Sequence, residues 1–440
     1  MLRSSAVGLA TIALAVALAA RAPEGADAAF QRFWDARSPQ DAARAIDGIL
    51  KSGIGFDEAY ARLKAGRRYR PDVQRGEFVR ERRTPRGDFF YTVDVPERYD
   101  PARRWPVRLQ LHGGVMMREN GEPRSGRGSA SSRVLRGAEQ IYVLPSSWRD
   151  APWWSDVQVE NLRTILDALE RTYNIDENRI ALSGISDGAT AAYYVAMRDT
   201  TPYASFEPLN GYLKVLANPA LDIAGELYPN NLLNKPFFAI NGALDPLYPA
   251  ASVAPYMEHL QRAGVDVEFH ARVDGVHNTA WWPDVKDRFE QFVADHPRAP
   301  LPDRLTWETD RTEGRNRAHW LVIDRLAARA PAAALPDVNL VPNGVGAGRP
   351  LFAHARPSGR VDLVRSGNRV EAAARGVAAF TLLVSPEAFD LDRPLQVVVN
   401  GKVVFEGRVA RSLATLLKWA AADNDRTMLF AAEVRITIDG

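Results

Sequence analysis

The sequence contains no cysteine in its 440 residues. This absence excludes disulfide bonds, thiolate catalysis, iron–sulfur clusters and cysteine-ligated zinc, and it also excludes a lipoprotein anchor on an acylated cysteine. A chain of this length can bury enough apolar surface to fold without disulfides. The lack of cysteine is therefore compatible with export from the cytoplasm.

A strong charge of one sign is also absent, because the formal net charge is only +2. Such a small charge gives no indication of nucleic acid as a partner. Paired histidines at metal-binding spacing are missing, and the acidic residues Glu387, Asp390 and Asp392 match no metal-ligand pattern. The sequence therefore indicates neither a metal nor another cofactor. Its length predicts more than one domain.

The N-terminus has the pattern of an export signal. Met1-Leu2-Arg3 precedes an apolar run from Ala6 to Ala20, and Ala26-Asp27-Ala28 follows as a cleavage site. The apolar run is shorter than the ~20 residues that cross a bilayer, so the pattern favours a signal peptide over residues 1–28. Cleavage after Ala20 or Ala22 and a retained anchor are the alternatives. We expect a secreted or periplasmic protein with no stable membrane association after cleavage.

Three further regions follow the signal segment. Apolar residues at helical spacing predict an N-terminal helical segment over residues 29–75. Strand and helix patterns alternate over residues 76–298, which predicts an α/β domain with a mostly parallel sheet covered by helices on both faces. Short alternating runs over residues 299–440, with the hairpin signal Asn400-Gly401, predict a C-terminal β-rich domain.

The strongest local motif is Gly184-Ile185-Ser186-Asp187-Gly188, which lies between a predicted strand and a predicted helix. A serine in this context sits on a sharp turn that exposes its hydroxyl, and glycines on both sides avoid collisions with the strand and the helix. The motif predicts that Ser186 is a nucleophile. A purely structural turn is the alternative.

A serine nucleophile needs a base and an acid that orients the base. Among the seven histidines, only His277 lies in a loop after the last predicted core strand of the α/β domain. Asp245 follows the preceding strand, so the order serine, acid, histidine is the one expected for this arrangement. Asp274 is an alternative acid, but three residues from His277 it is better suited to shaping the loop.

The stretch Leu111-His112-Gly113-Gly114-Val115 closes an apolar strand. Backbone N–H groups in such a glycine-rich loop can bind the oxyanion of an acyl-transfer reaction together with the N–H of Asp187. The sequence leaves open whether Gly114 or Val115 supplies the second donor. It predicts a structural role for His112.

Two pairs of tryptophans lie in loops near these motifs, Trp153-Trp154 and Trp281-Trp282. They would either line an aromatic or apolar substrate pocket or pack the loops onto the sheet.

The motifs around His112, Ser186, Asp245 and His277 together resemble the α/β-hydrolase superfamily. More narrowly, residues 85–295 are similar to its bacterial esterase-D, polyhydroxybutyrate-depolymerase and feruloyl-esterase-like branch, which borders on prolyl-oligopeptidase-like enzymes. The resemblance implies an α/β-hydrolase fold and a serine esterase that cleaves carboxylic esters, of small or polymeric substrates, through an acyl-enzyme. A serine peptidase is one alternative, although no β-propeller precedes the hydrolase region. A polymer-directed esterase that binds through its C-terminal domain is the other.

Overall fold

The computed structural model describes residues 25–119, 135–328, 335–339 and 350–438. Most of the predicted signal peptide therefore lies outside the described residues, and residues 26–28 form the start of the first helix. In the described ranges, no helix combines the length and the apolar character needed to cross a membrane.

The N-terminal segment forms three helices. They are α1 (Ala26–Trp34), α2 (Pro39–Lys51) and α3 (Phe56–Ala65). Helix α2 begins after Ser38, whose hydroxyl oxygen accepts a hydrogen bond from the N–H of Asp41 at 3.1 Å, which is a typical N-cap. The apolar faces of these helices form one cluster with Leu416 and Leu417, which lie on a helix near the other end of the chain.

The central domain contains an eight-stranded sheet in the order β1-β2-β4-β3-β5-β6-β7-β8. The strands are β1 (Gly76–Thr84), β2 (Gly87–Val95), β3 (Trp105–Leu111), β4 (Ile141–Pro145), β5 (Ile175–Ile185), β6 (Ser205–Leu209), β7 (Phe237–Gly242) and β8 (Val267–Arg272). Strand β2 pairs antiparallel with β1 and β4, and all the remaining pairs are parallel. Because parallel strands end at the same edge, the loops after β3, β5, β7 and β8 meet at one side of the domain.

Helices cover both faces of this sheet. The helices are α4 (Asp156–Thr172), α5 (Asp187–Arg198), α6 (Ala250–Arg262) and α7 (Trp282–Asp295). Alternate residues of β7 point to opposite sides, since Phe237 clusters with side chains of α4, α5 and α6 while Phe238 clusters with side chains of α7. The predicted α/β class and the α/β-hydrolase arrangement are confirmed by this sheet order and layering.

The C-terminal region forms two sheets in the orders β10-β11-β14-β17 and β16-β15-β13-β12-β9. Its strands are β9 (Arg304–Thr309), β10 (Arg317–Ala318), β11 (Leu321–Leu326), β12 (Gly359–Ser366), β13 (Arg369–Arg375), β14 (Val377–Val384), β15 (Leu395–Val399), β16 (Lys402–Gly407) and β17 (Ala432–Thr437), with helix α8 (Leu413–Asp423) before β17. One apolar cluster that includes Trp307, Val361 and Phe380 joins the two sheets. Asn400 and Gly401 have φ angles of 50° and 82° and join β15 to β16, so the predicted hairpin is confirmed.

Candidate active site

Ser186 occupies a sharp turn between the end of β5 and the start of α5. Its φ and ψ angles are 57° and −116°, a region that non-glycine residues rarely adopt. A Cβ atom on Gly184 would lie 2.0 Å from the carbonyl oxygen of Gly188, and one on Gly188 would lie 2.2 Å from that of Leu111. Both glycines are therefore required for β3, β5 and α5 to meet at this turn.

His277 lies between Ser186 and Asp245 in space. Its Nε2 atom is 2.9 Å from Oγ of Ser186, and its Nδ1 atom is 2.7 Å from Oδ2 of Asp245. With a neutral imidazole, the serine hydroxyl donates to Nε2 and the Nδ1–H group donates to the carboxylate. The loops after β5, β7 and β8 thus bring together three side chains that can transfer a proton from a hydroxyl to an imidazole.

The carboxylate of Asp245 is fixed from two sides. Its Oδ1 atom accepts hydrogen bonds from the N–H groups of Leu247 at 2.8 Å and Tyr248 at 2.9 Å, while Oδ2 faces His277. The side chain is fully buried in this network. Asp274, the alternative acid, is 81% exposed and lies beside Arg272 instead.

Two buried asparagines that sequence reasoning did not single out hold the neighbouring loops. Asn210 follows β6, and its side-chain amide donates to the carbonyl oxygen of Asn278, next to His277, at 2.8 Å. Asn241 lies in β7, and its side-chain amide donates to the carbonyl oxygens of Gly211 and Tyr248, both at 3.1 Å. Each asparagine precedes a glycine at the carboxyl end of a buried strand, which is the sequence signal that could have identified them.

The loop of residues 112–115 lies against Ser186. A Cβ atom on Gly113 would lie 2.8 Å from Cβ of Ser186. The N–H of Val115, however, donates to Oδ2 of Asp187 at 2.7 Å, so this candidate oxyanion donor already has a partner. The roles of Asp187, Gly114 and Val115 in binding an oxyanion remain predictions.

His112 stabilises this loop as a neutral imidazole. Its Nε2 atom accepts the N–H of Ser147 at 3.0 Å, and its Nδ1–H group donates to the carbonyl oxygen of Gly113 at 3.0 Å. Burial lowers the pKa of His112 to about 4, with a smaller contribution from the charge of Arg118. Both ring nitrogens serve the fold of the loop, in agreement with the structural role predicted for this residue.

Asp187, which directly follows the serine, carries a carboxyl group with a shifted pKa. Burial raises its pKa, while the backbone of Val115, the charge of His277 and the backbone of Gly114 act in the opposite direction. Asp187 is also the first residue of α5, where the helix dipole favours a negative charge.

The four tryptophans lie in the core with exposed fractions of 1–8%. The indole N–H of Trp153 donates to the carbonyl oxygen of His112 at 2.9 Å, and that of Trp282 donates to the carbonyl oxygen of Arg136 at 3.0 Å. Trp154 and Trp281 belong to apolar clusters on opposite faces of the sheet. These positions fit the packing alternative, and contact with a substrate remains an untested prediction.

In the ranges that the structure describes, no group of three or more histidine, aspartate or glutamate side chains is arranged to hold a metal ion.

Neither a protein-family model nor a curated protein matches the sequence. Among solved structures, the chain is similar to a ferulic acid esterase with 18% identity and a TM-score of 0.37, over 51% of this chain and 99% of that one. A thermostable esterase has 16% identity and a TM-score of 0.38, over 50% of this chain and 63% of the esterase. A putative dipeptidyl aminopeptidase IV from Bacteroides ovatus has 13% identity and a TM-score of 0.41, over 51% of this chain and 36% of the peptidase.

The three structures named here are two esterases and a peptidase. At such low identity the likeness concerns the fold. The assignment to the α/β-hydrolase fold rests on the strand order and on the turn at Ser186.

Proposed function

We propose that the protein is a serine hydrolase that cleaves carboxylic esters through an acyl-enzyme on Ser186. The observation that carries this proposal is the continuous chain of hydrogen bonds from the Ser186 hydroxyl through His277 to the Asp245 carboxylate. An isolated serine hydroxyl is a poor nucleophile, and a neighbouring imidazole is the group that removes its proton during attack.

The proposed reaction has two halves. Oγ of Ser186 attacks the ester carbonyl carbon while Nε2 of His277 takes the hydroxyl proton, and the imidazolium then gives this proton to the leaving alcohol. Water attacks the resulting acyl-enzyme and passes a proton to His277, which returns it to Oγ as the acid leaves. Asp245 stabilises the imidazolium in both halves and stays ionised.

The proposed oxyanion site uses the backbone N–H groups of Asp187 and Gly114. The N–H of Val115 donates to the Asp187 carboxylate at 2.7 Å, whereas the backbone of Gly114 is the weakest of the interactions that lower the pKa of this carboxyl group. The Gly114 N–H is therefore the more available of the two as the second donor. The close approach of Gly113 to Ser186 supports a donor at this point of the loop. Such a donor contributes about 10²–10³ to the rate of acyl transfer.

Exposed apolar side chains on the same loops support an ester with an apolar acyl or alcohol group. Met117 is 84% exposed, Leu244 is 63% exposed and Leu247 is 61% exposed, although large apolar residues are usually buried. The N–H of Leu244 donates to the carbonyl oxygen of Gly275 at 2.9 Å, which places the backbone of Leu244 beside the loop that carries His277. Exposed apolar side chains on the loops that carry the candidate site are suited to substrates that water solvates poorly.

The proposed site of action is the periplasm or the medium, which follows from the signal pattern in residues 1–28.

For the C-terminal β-rich region we propose a packing role, because buried polar contacts link it to the hydrolase domain. Asn230 and Asn231 donate to the side-chain and main-chain oxygens of Glu308 at 2.7 and 3.0 Å.

Replacement of the nucleophile tests the proposal. In Ser186→Ala the turnover of p-nitrophenyl acetate should fall about 10⁶-fold, because the variant lacks the hydroxyl that His277 activates. Ser252→Ala, at an exposed position on α6, is the matched control and should leave turnover unchanged. A fluorophosphonate probe should label the wild-type protein at Ser186 and fail to label the alanine variant.

Retained esterase activity in Ser186→Ala would contradict the proposal. A comparison of chromogenic dipeptides with short acyl esters separates the esterase from the peptidase, since a peptidase would turn over the dipeptides with the higher kcat/KM.

A further inference from the structure

One contact near the serine takes no part in the proton transfers described above. The carboxylate of Asp187 accepts the N–H of Val115 at 2.7 Å, across 72 positions of sequence. The contact joins the first turn of α5 to the loop that crosses Ser186. The side chain beside the nucleophile therefore touches the loop that carries the other proposed oxyanion donor.

A hydrogen bond that fixes the conformation of this loop is needed for two physical reasons. Gly113 and Gly114 are adjacent, and Gly114 has a φ angle of 68°, so the backbone has few steric restraints of its own. Val115 is fully buried, and a buried N–H without an acceptor costs about 1–3 kcal/mol. The acceptor on Asp187 satisfies this N–H and fixes the peptide groups on either side of it.

We propose that Asp187 is a positioning residue whose side-chain oxygen holds the Val115 N–H and thereby aims the Gly114 N–H at the substrate oxygen. The inference rests on the proposed function, and it assigns two separate tasks to one residue. The backbone N–H of Asp187 is one oxyanion donor, and its side chain fixes the loop that carries the other. Val115 is then a structural donor and not an oxyanion donor.

The acceptor oxygen, and not the negative charge, is the useful part of the side chain. A carboxylate near the oxyanion opposes the charge that develops during attack, whereas an amide oxygen can accept the same hydrogen bond without that penalty. The substitution Asp187→Asn would keep an acceptor at the same distance from the backbone, while Asp187→Ala would remove it. This pair of variants therefore separates hydrogen bonding from charge.

The experiment measures kcat and KM for p-nitrophenyl acetate per active site, with active sites counted by fluorophosphonate titration. We expect Asp187→Ala to lower kcat about 10–100-fold with little change in KM, because one oxyanion donor is no longer held in place. Asp187→Asn should recover most of that loss. A trifluoromethyl ketone, whose adduct with Ser186 carries an oxyanion, should lose affinity in the alanine variant by a similar factor and regain it in the asparagine variant.

These readouts exclude a merely structural role, which would lower the melting temperature and the number of titratable sites but not kcat per site. Asp287→Ala, at an exposed position on α7, is the control for removal of an acidic side chain. Wild-type kcat per site and ketone affinity in Asp187→Ala would overturn the proposal. So would a faster alanine variant, or equal losses in the two variants, because the charge and not the acceptor would then matter. Failure of the proposed function is distinguishable, since it would appear as activity in Ser186→Ala.

Discussion

Asp245 accepts three hydrogen bonds, from two backbone N–H groups and from His277. Asp245→Asn would keep the shape of the side chain but offer only one acceptor oxygen and no charge. We expect kcat to fall about 10⁴-fold, because the imidazole loses the partner that sets its tautomer and stabilises its cation.

The matched control is Asp274→Asn, which changes the exposed aspartate on the His277 loop. Esterase assays of both variants test the assignment of the acid. A large loss in Asp274→Asn together with a small one in Asp245→Asn would reverse it.

Glu207, a buried residue of β6, should make the free energy of unfolding depend on pH. Burial raises its pKa to about 7, against opposing contributions from the Ser205 hydroxyl and Arg108, while Glu290 adds to the rise. In the described part of the chain, its Oε2 atom has no hydrogen-bond partner. Between the ordinary carboxyl pKa and about pH 7, the folded state holds a proton that the unfolded state releases, so this group lowers stability as the pH rises through that window.

Glu207→Gln should therefore raise the melting temperature at pH 8, and the difference from the wild type should vanish toward pH 5. Thermal unfolding at both pH values measures the effect, with Glu406→Gln on the exposed strand β16 as the control. An equal change at the two pH values would show that ionisation of Glu207 is not the cause.

The junction of β3, β5 and α5 is the element that exposes Ser186. Gly188 packs so closely on β3 that an added Cβ would overlap the carbonyl group of Leu111, at 2.2 Å from its oxygen. Gly188→Ala should push α5 away from the sheet, and we expect loss of soluble protein or of esterase activity.

Gly55→Ala is the comparison, because no atom lies within 4 Å of a Cβ atom built at Gly55 and its φ angle of −76° suits any residue. Expression yield, circular dichroism and kcat of the two variants check the prediction. An active and stable Gly188→Ala protein would contradict the prediction, because it would mean that β3 and α5 can move apart while the turn at Ser186 keeps its conformation.

Local sequence patterns predicted a helix, strand or turn correctly where a short stretch of residues determines that structure. The strand, turn and helix around Ser186 follow from an apolar run, two glycines and a second apolar run, and the β15–β16 hairpin follows from Asn400-Gly401. The packing partner of the N-terminal helices did not follow from such rules. Helices α2 and α3 pack against α8, and α1 packs against α2. An amphipathic pattern indicates that one face of a helix is buried, but it does not indicate which surface covers that face.

At the scale of the whole molecule, buried polar contacts join the hydrolase domain to the C-terminal region. Arg298 is 4% exposed, and its guanidinium donates to Asp425 at 2.6 Å and to the side chain of Asn178 at 2.9 Å. Arg426 donates to the carbonyl oxygen of Ile175 and to Glu177 in the same region. These contacts attach the C-terminal region to the N-terminal end of β5, at the opposite end of that strand from Ser186, in addition to the contacts that Asn230 and Asn231 make with Glu308.

Asp425→Ala would leave the cation of Arg298 buried without its charged partner. We expect a loss of about 3–5 kcal/mol in the free energy of unfolding, since an unpaired buried charge costs that much. Urea unfolding of the full chain measures it, with Asp392→Ala at an exposed position as the control. Esterase activity below the unfolding transition should stay near that of the wild type, because the pair is remote from the serine. A loss below about 1 kcal/mol, the value of an exposed ion pair, would contradict this account.

The sequence by itself determined the α/β class, the β-rich character of the C-terminal region and the residues that make up the candidate site. These properties are encoded locally, in the period of apolar residues and in glycines at turns, so they can be derived without knowing which segments meet. Only the tertiary structure decided that the four tryptophans are buried, that α8 covers the N-terminal helices and that Asp187 binds Val115. Such contacts join positions far apart in the chain, and they depend on strand order and on how side-chain volumes fill the space between layers, which no local pattern specifies.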